Sequence, residues 1–167
     1  LNVFEDGADK SEKIMSYIKE KGYKIESISF GKSESRYTYD KDDNVIYKGL
    51  KSIKYMNDNV ADDLLRLSKS KQYDDFIELL KDIAEDTVLD SRQTSILIRL
   101  DFFKSFGNSK YLFKIYEKFS ERFKKNHKDK TKDARLTEVR EYVSTLDKDV
   151  DFTINEKIDY EKKMLGY

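Results

Sequence analysis

Ile14, Tyr17 and Ile18 recur at the spacing of one helical face, behind a capping-box-like Asp9 and Glu12. Gly22 supplies a C-terminal stop. Tyr23 to Ile28 alternates apolar and charged residues, the period of a short strand. Arg36-Tyr37-Thr38-Tyr39 and Val45-Ile46-Tyr47 flank the turn cluster Asp40-Lys41-Asp42-Asp43-Asn44, which predicts a hairpin. After Gly49 the period becomes helical and stays so. Leu50 and Ile53 mark a short helix, Val60, Ala61, Leu64 and Leu67 a second, and Phe76, Ile77, Leu80 and Ile83 a third. Ser91 is placed to cap a fourth through Ile96, Leu97 and Leu100. Phe102 to Asn108 interrupts the pattern, and Ser109 is placed to cap a long fifth helix bearing Leu112, Phe113, Tyr116, Phe119 and Phe123. Leu136, Val139, Tyr142, Val143 and Leu146 define a sixth, and Asn155 opens a last one through Ile158 and Met164.

The pattern predicts a mainly α fold with a small antiparallel β element, an α+β class containing a helical helix-hairpin-helix domain. Three stretches are expected: residues 1–48 as a helix plus hairpin subdomain, 49–127 as the helical domain, and 128–167 as C-terminal helices continuing into a longer parent chain. The absence of an initiator Met fits such a piece.

Composition narrows the possible chemistry. Only 38% of the 167 residues are apolar and 40% are charged, so 12 Tyr and 10 Phe must carry much of the core. With no Cys there is no disulfide scaffold or thiolate site, and one His leaves no imidazole cluster for zinc. No run approaches the roughly 20 apolar residues that cross a bilayer, and no secretory signal opens the chain. The cytoplasm is therefore the expected location, with no membrane partner.

Thirty-three basic and 33 acidic residues cancel, but unevenly. Asp74 to Asp90 carries a net −6, Lys110 to Arg135 a net +6, and Lys48 to Lys71 a net +3. Basic and acidic faces are thus hidden in a neutral total.

The run Gly49 to Ala61 has the outline of a helix-hairpin-helix: short helix, tight turn, longer amphipathic helix. Backbone N–H groups at the second helix's start point outward at the positive end of its dipole and can donate to a phosphate oxygen. Asn57, Asp58 and Asn59 would supply those amides, with Lys48, Lys51, Ser52 and Lys54 beside them. An ordinary helical corner has the same outline. Lys104, Asn108, Ser109 and Lys110 form a second candidate contact, although Phe102, Phe103 and Phe106 there read as core plugs. Asp147-Lys148-Asp149-Val150-Asp151 alternates like a calcium loop, but Phe152 and Ile158 occupy positions that need Gly and Glu. Asp40 and Asp42 sit where a turn needs polar residues, and His127 lies in a Lys-rich loop. No nucleophile–base arrangement or Gly-rich phosphate loop is present, so no catalytic residue, metal or cofactor is assigned.

Read in order, these segments resemble the alpha subunit of bacterial DNA polymerase III. Residues Asp9 to Ile25 look like the family's helix-to-strand segment. Ile28-Ser29-Phe30-Gly31-Lys32-Ser33 stands at a Pro-Pro-Asp-Ile-Asn-x-Ser motif, keeping the Ser and losing both prolines. Gly49-Leu50-Lys51-Ser52-Ile53-Lys54 is similar to its Gly-x-x-Ala-Ile-Lys-Gly-x-Gly helix-hairpin-helix, with the two hairpin glycines falling on Tyr55 and Asn57. Tyr73 to Leu80 resembles Phe-x-x-Leu-x-Asp-Phe. Ser91 to Gly107 resembles Leu-Ile-x-x-Gly-Ala-Phe-Asp-x-x-Gly, with Asp101-Phe102 replacing Gly-Ala. Tyr160 to Tyr167 resembles Trp-Glu-Lys-Glu-Leu-Leu-Gly-Phe.

The resemblance implies part of the fingers and the helix-hairpin-helix region of a DNA-directed DNA polymerase, a nucleotidyltransferase of DNA replication. Its catalytic carboxylates and Mg lie upstream, so the segment itself is expected to be non-catalytic. It would hold the duplex DNA backbone without reading sequence, beside other polymerase domains and, as a further candidate partner, the sliding clamp. The alternative is a protein-interaction module that docks polymerase domains or a replication partner through its charged faces.

Overall fold

The computed structural model describes residues 8–123 and 131–165. The first helix, α1 (Ala8–Glu20), ends where Gly22 turns left-handed at φ +83°. There the Gly22 N–H donates to the Lys19 carbonyl (3.0 Å) and the Tyr23 N–H to the Ile18 carbonyl (3.3 Å), which satisfies the helix's last acceptors. Three short strands follow: β1 (Lys24–Glu26), β2 (Thr38–Asp40) and β3 (Val45–Tyr47). β2 and β3 form the expected antiparallel hairpin, with Tyr39 opposite Ile46. The Asp40 carboxylate accepts from the Asp42 N–H (3.1 Å), and Asn44 takes the left-handed position at φ +53°. The sheet is mixed rather than purely antiparallel. β1 joins the other edge of β3 in parallel, giving the order β1-β3-β2. The crossover that allows this is pinned to the helical part by Ile28, which is buried, and by the Phe30 N–H bonded to the Phe102 carbonyl (2.9 Å).

A 3₁₀ turn (Leu50–Ser52) leads into α2 (Asp58–Ser70), α3 (Phe76–Asp86) and α4 (Ser91–Arg99). A second 3₁₀ turn (Lys104–Phe106) precedes α5 (Ser109–Arg122), α6 (Lys132–Ser144) and α7 (Ile154–Leu165). Several expected starts move by one residue. Asp90 caps α4 in place of Ser91, in a reciprocal capping box with Gln93. Asn108 is the N-cap position of α5, and Ser109 lies one residue inside. α7 begins at Ile154, one residue before Asn155, behind Thr153. The Thr153 hydroxyl accepts from the Glu156 N–H (3.3 Å), and the Glu156 carboxylate accepts from the Thr153 N–H (2.8 Å). Leu146 falls beyond the end of α6.

One buried cluster runs from Ile28 to Met164 and draws on all three expected stretches. At its centre Phe102 and Phe103 meet edge to face, ring centroids 4.9 Å apart, with Phe30 and Phe76 packed around them. The core plugs expected at Phe102 and Phe103 are both essentially inaccessible. The charged faces largely meet each other. Lys71 bridges Glu78 (2.7 Å) and Asp82 (2.9 Å), while α6 sends Arg140 to Asp75, Lys132 to Glu85 and Glu138 to Arg122. His127 and Lys124, Lys125, Lys128 and Lys130 of the basic run lie outside the described residues.

Candidate nucleic-acid interface

The hairpin between the first 3₁₀ turn and α2 is set by a close chain crossing. A Cβ on Gly49 would lie 2.4 Å from the Arg36 carbonyl carbon and 2.7 Å from the Ser35 oxygen. Only glycine lets the two strands of backbone approach this far. The crossing is closed by the Leu50 N–H to the Glu34 carbonyl (2.9 Å) and the Lys51 N–H to the Ser35 carbonyl (3.0 Å). The chain then turns through Tyr55, whose φ of +71° is left-handed. The glycine position of the resemblance therefore keeps its backbone shape although a tyrosine occupies it. At the second such position the outcome differs: Asn57 is extended at φ −139° and caps α2, its side chain accepting from the Val60 N–H (3.0 Å).

With Val60 and Ala61 satisfied by the Asn57 side chain and carbonyl, the N–H groups of Asp58 and Asn59 have no acceptor among the described residues. Asn57, Asp58 and Asn59 are all exposed. Asp58 and Asn59 are two of the three positions at which the helix-hairpin-helix outline calls for free backbone amides.

Their charged surroundings are mixed. Lys51 lies 3.0 Å from the Asp58 carboxylate, which also accepts from the Ser35 hydroxyl. The hydrogen bonds from Ser35 and Lys51 hold the Asp58 carboxyl below the usual range. Lys54 is anchored to α7 through its N–H on the Met164 carbonyl (3.0 Å) and its Nζ on the Lys163 carbonyl (2.8 Å). The Ser52 hydroxyl turns back to the Gly49 carbonyl (2.7 Å).

The second predicted contact is built differently from expectation. Asp101 takes a left-handed turn at φ +60°, the place where the resemblance has glycine, and Gly107 lies at φ +147°. The buried Ser109 donates its hydroxyl to Asp101. The Lys110 N–H donates to Asp151 (3.4 Å), and Asn108 reaches the carbonyls of Lys148 and Asp149. Burial works against the charge of Asp151, but Lys157 and the Phe152 and Lys110 amides outweigh it and hold its pKa low. At the start of α5 the Asp151 carboxylate thus already takes the Lys110 amide, where an external anion would otherwise bind. The loop that does this is the Asp147 to Asp151 stretch. Nothing in residues 102–110 signals its arrival from 40 positions away.

Lys104 belongs elsewhere. It lines a cleft of about 170 Å³ with Lys48, Arg99 and Lys157, opposed by Asp101 and Glu161. Lys48 and Lys104, assigned to separate contacts, therefore share one basic cleft. Arg99, at the end of α4, and Lys157, in α7, join them with no signal in the sequence pattern. Arg99 stacks over Tyr160, 3.9 Å from its ring centroid, and Lys157 bridges Asp101 (3.0 Å) and Asp151 (2.7 Å). Lys48 is only 13% exposed and faces Glu161 at 3.9 Å. Among the described residues no group of three or more His, Cys, Asp or Glu side chains could hold a metal ion. None of the described helices is long and apolar enough to cross a membrane.

A short helix, a left-handed turn and a capped second helix with two open amides define a helix-hairpin-helix fold unit within a mainly helical α+β protein. The chain belongs to the helix-hairpin-helix motif family, whose pattern matches residues 22–112, more than half of its length. The match spans β1 through the start of α5, so it includes both turns described above. Membership suggests nucleic-acid binding. No curated protein matches the chain.

Proposed function

We propose that this chain holds DNA by its sugar-phosphate backbone, independently of sequence and without catalysing a reaction. The single observation that carries the reading is the exposed, unsatisfied amide pair of Asp58 and Asn59 on the family's hairpin. Phosphate contacts position a protein without reading bases, so discrimination between sequences is expected to be small. Lys54 and Lys104 contribute charge, and Lys51 contributes a share left over from Asp58.

The wider context of the proposal is a segment of a bacterial replicative polymerase resembling the DNA polymerase III alpha subunit. The ordered run of similar motifs from Asp9 to Leu165 supports it, as does the glycine-like backbone of Tyr55 and Asp101 at two positions where that family has glycine. In that setting the duplex, neighbouring polymerase domains and the sliding clamp are the partners, and Mg serves the parent chain's chemistry rather than this segment's. The protein-interaction alternative draws less support, because the acids of α3 already pair with Lys71, Lys132 and Arg140.

Fluorescence anisotropy of a labelled duplex at graded salt tests the reading. Affinity is expected at roughly 10⁻⁴–10⁻⁶ M. Two to three neutralised phosphates give a log–log slope of about −1.8 to −2.7, roughly a 10- to 40-fold loss between 50 and 200 mM salt. Affinity that does not change with salt excludes backbone-driven binding.

A further inference from the structure

Tyr55 is the residue on this hairpin that a phosphate grip alone does not account for. It holds a left-handed backbone at φ +71°, a conformation that an L side chain adopts at a steric cost, yet it is 55% exposed and fills no core position. Strain of this kind persists only where the surroundings enforce it, and it gathers at functional sites. Here the enforcement comes from one turn of α4. Gln93, locked in the capping box with Asp90, donates its side-chain amide to the Tyr55 carbonyl (2.8 Å). Its neighbour Arg92 places its guanidinium over the Tyr55 ring, 4.4 Å from the centroid. Backbone and ring are therefore held by adjacent residues, with the rest of the ring left to solvent. The open amides of Asp58 and Asn59 begin three residues later, a chain span of at most about 10 Å.

We propose that the Tyr55 ring, backed by Arg92, is a stacking platform for an unpaired nucleobase whose backbone lies at the Asp58 and Asn59 amides. The preferred ligand is then DNA with a single-stranded tail rather than continuous duplex. Every base presents a π-face, so such stacking tolerates any sequence. The Arg92 guanidinium on one face of the ring also brings positive charge to the hairpin beside the platform. The inference rests on the DNA-holding function above and adds the form of DNA held.

The test compares the 167-residue chain on two labelled probes, a blunt duplex and the same duplex with a short dT tail, by anisotropy at one salt concentration. Stacking one base predicts tighter binding of the tailed probe by about fivefold or more. Tyr55→Gly suits the left-handed backbone, so loss of folding does not confuse its result. It is expected to bring the tail preference below about twofold while Tyr55→Phe, which keeps the ring, retains it. Equal affinity of the native chain for both probes overturns the stacking proposal and leaves backbone holding intact. Equal weakening of both probes by Tyr55→Gly also overturns it, since Tyr55 would then act only by shaping the turn. Failure of the native chain to bind either probe removes the DNA-holding function and this proposal with it.

Discussion

Gly49→Ala isolates the close crossing on which the hairpin depends. Gly49 itself sits at φ −81° and ψ 148°, a conformation open to any residue, so the substitution acts through space alone. The new methyl would meet three backbone atoms at 2.4, 2.6 and 2.7 Å, none of which can rotate away. Restoring ordinary carbon contacts of about 3.5 Å requires the two segments to part by roughly 1 Å. That separation stretches both crossing hydrogen bonds, at 2.9 and 3.0 Å, and tilts Leu50, which is fully buried. Overpacking contributes about 1–3 kcal/mol and the two bonds about 0.5–1.5 kcal/mol each. Removing a glycine from the unfolded chain returns about 0.4–1 kcal/mol. The net cost spans about 1–5.5 kcal/mol and centres near 3 kcal/mol, read as a fall in Tm of roughly 6–12 °C in thermal unfolding followed by far-UV circular dichroism. A Tm within about 2 °C of the native chain would refute the crossing as the hairpin's anchor.

At Asp101 a series separates backbone from side chain. Asn tolerates the left-handed turn and still accepts from Ser109, Gly keeps only the turn, and Ala keeps neither. Chemical unfolding is therefore expected to rank Asn above Gly above Ala, with Ala costing about 2 kcal/mol. Phe103→Ala empties the centre of the Phe30, Phe76 and Phe102 cluster and should cost about 3–5 kcal/mol in urea unfolding. Acid stability follows from Asp151 and Asp82. Burial opposes the charge of both, but Lys157 with two amides, and Lys71 with the Tyr73 hydroxyl, lower their pKa values in the fold. The unfolded chain then binds protons first. Their contribution is present above the unfolded value of about 3.9 and is lost as pH falls through the lower folded values. Asp151→Asn should flatten the loss of Tm between roughly pH 5 and pH 2, and an unchanged slope would argue against the carboxylate that covers α5.

Much of this architecture is legible in short windows of sequence. The 3.6-residue recurrence of Val60, Leu64 and Leu67, or of Phe76, Leu80 and Ile83, identifies a helix because one face must be buried whatever buries it. The Asp40 to Asn44 cluster marks a hairpin because its turn chemistry is satisfied by its own backbone. Asn57 marks the start of α2 for the same local reason, its side chain capping the helix it precedes. Cap positions were harder to place: Asp90 and Ser91, like Asn108 and Ser109, are adjacent residues of similar capping ability, and only the packed geometry selects between them.

What the windows could not carry is anything decided by partners distant along the chain. Whether the start of α5 is open depends on Asp151, and the basic cleft depends on Arg99 and Lys157 meeting Lys48 and Lys104. The pairing of β1 depends on a crossover anchored at Phe102. Helix identity is a property of a residue and its neighbours within one or two turns. Electrostatic potential and amide access are sums over all that lies within a few ångströms, and in a neutral, highly charged chain those sums take their sign only after the chain has folded.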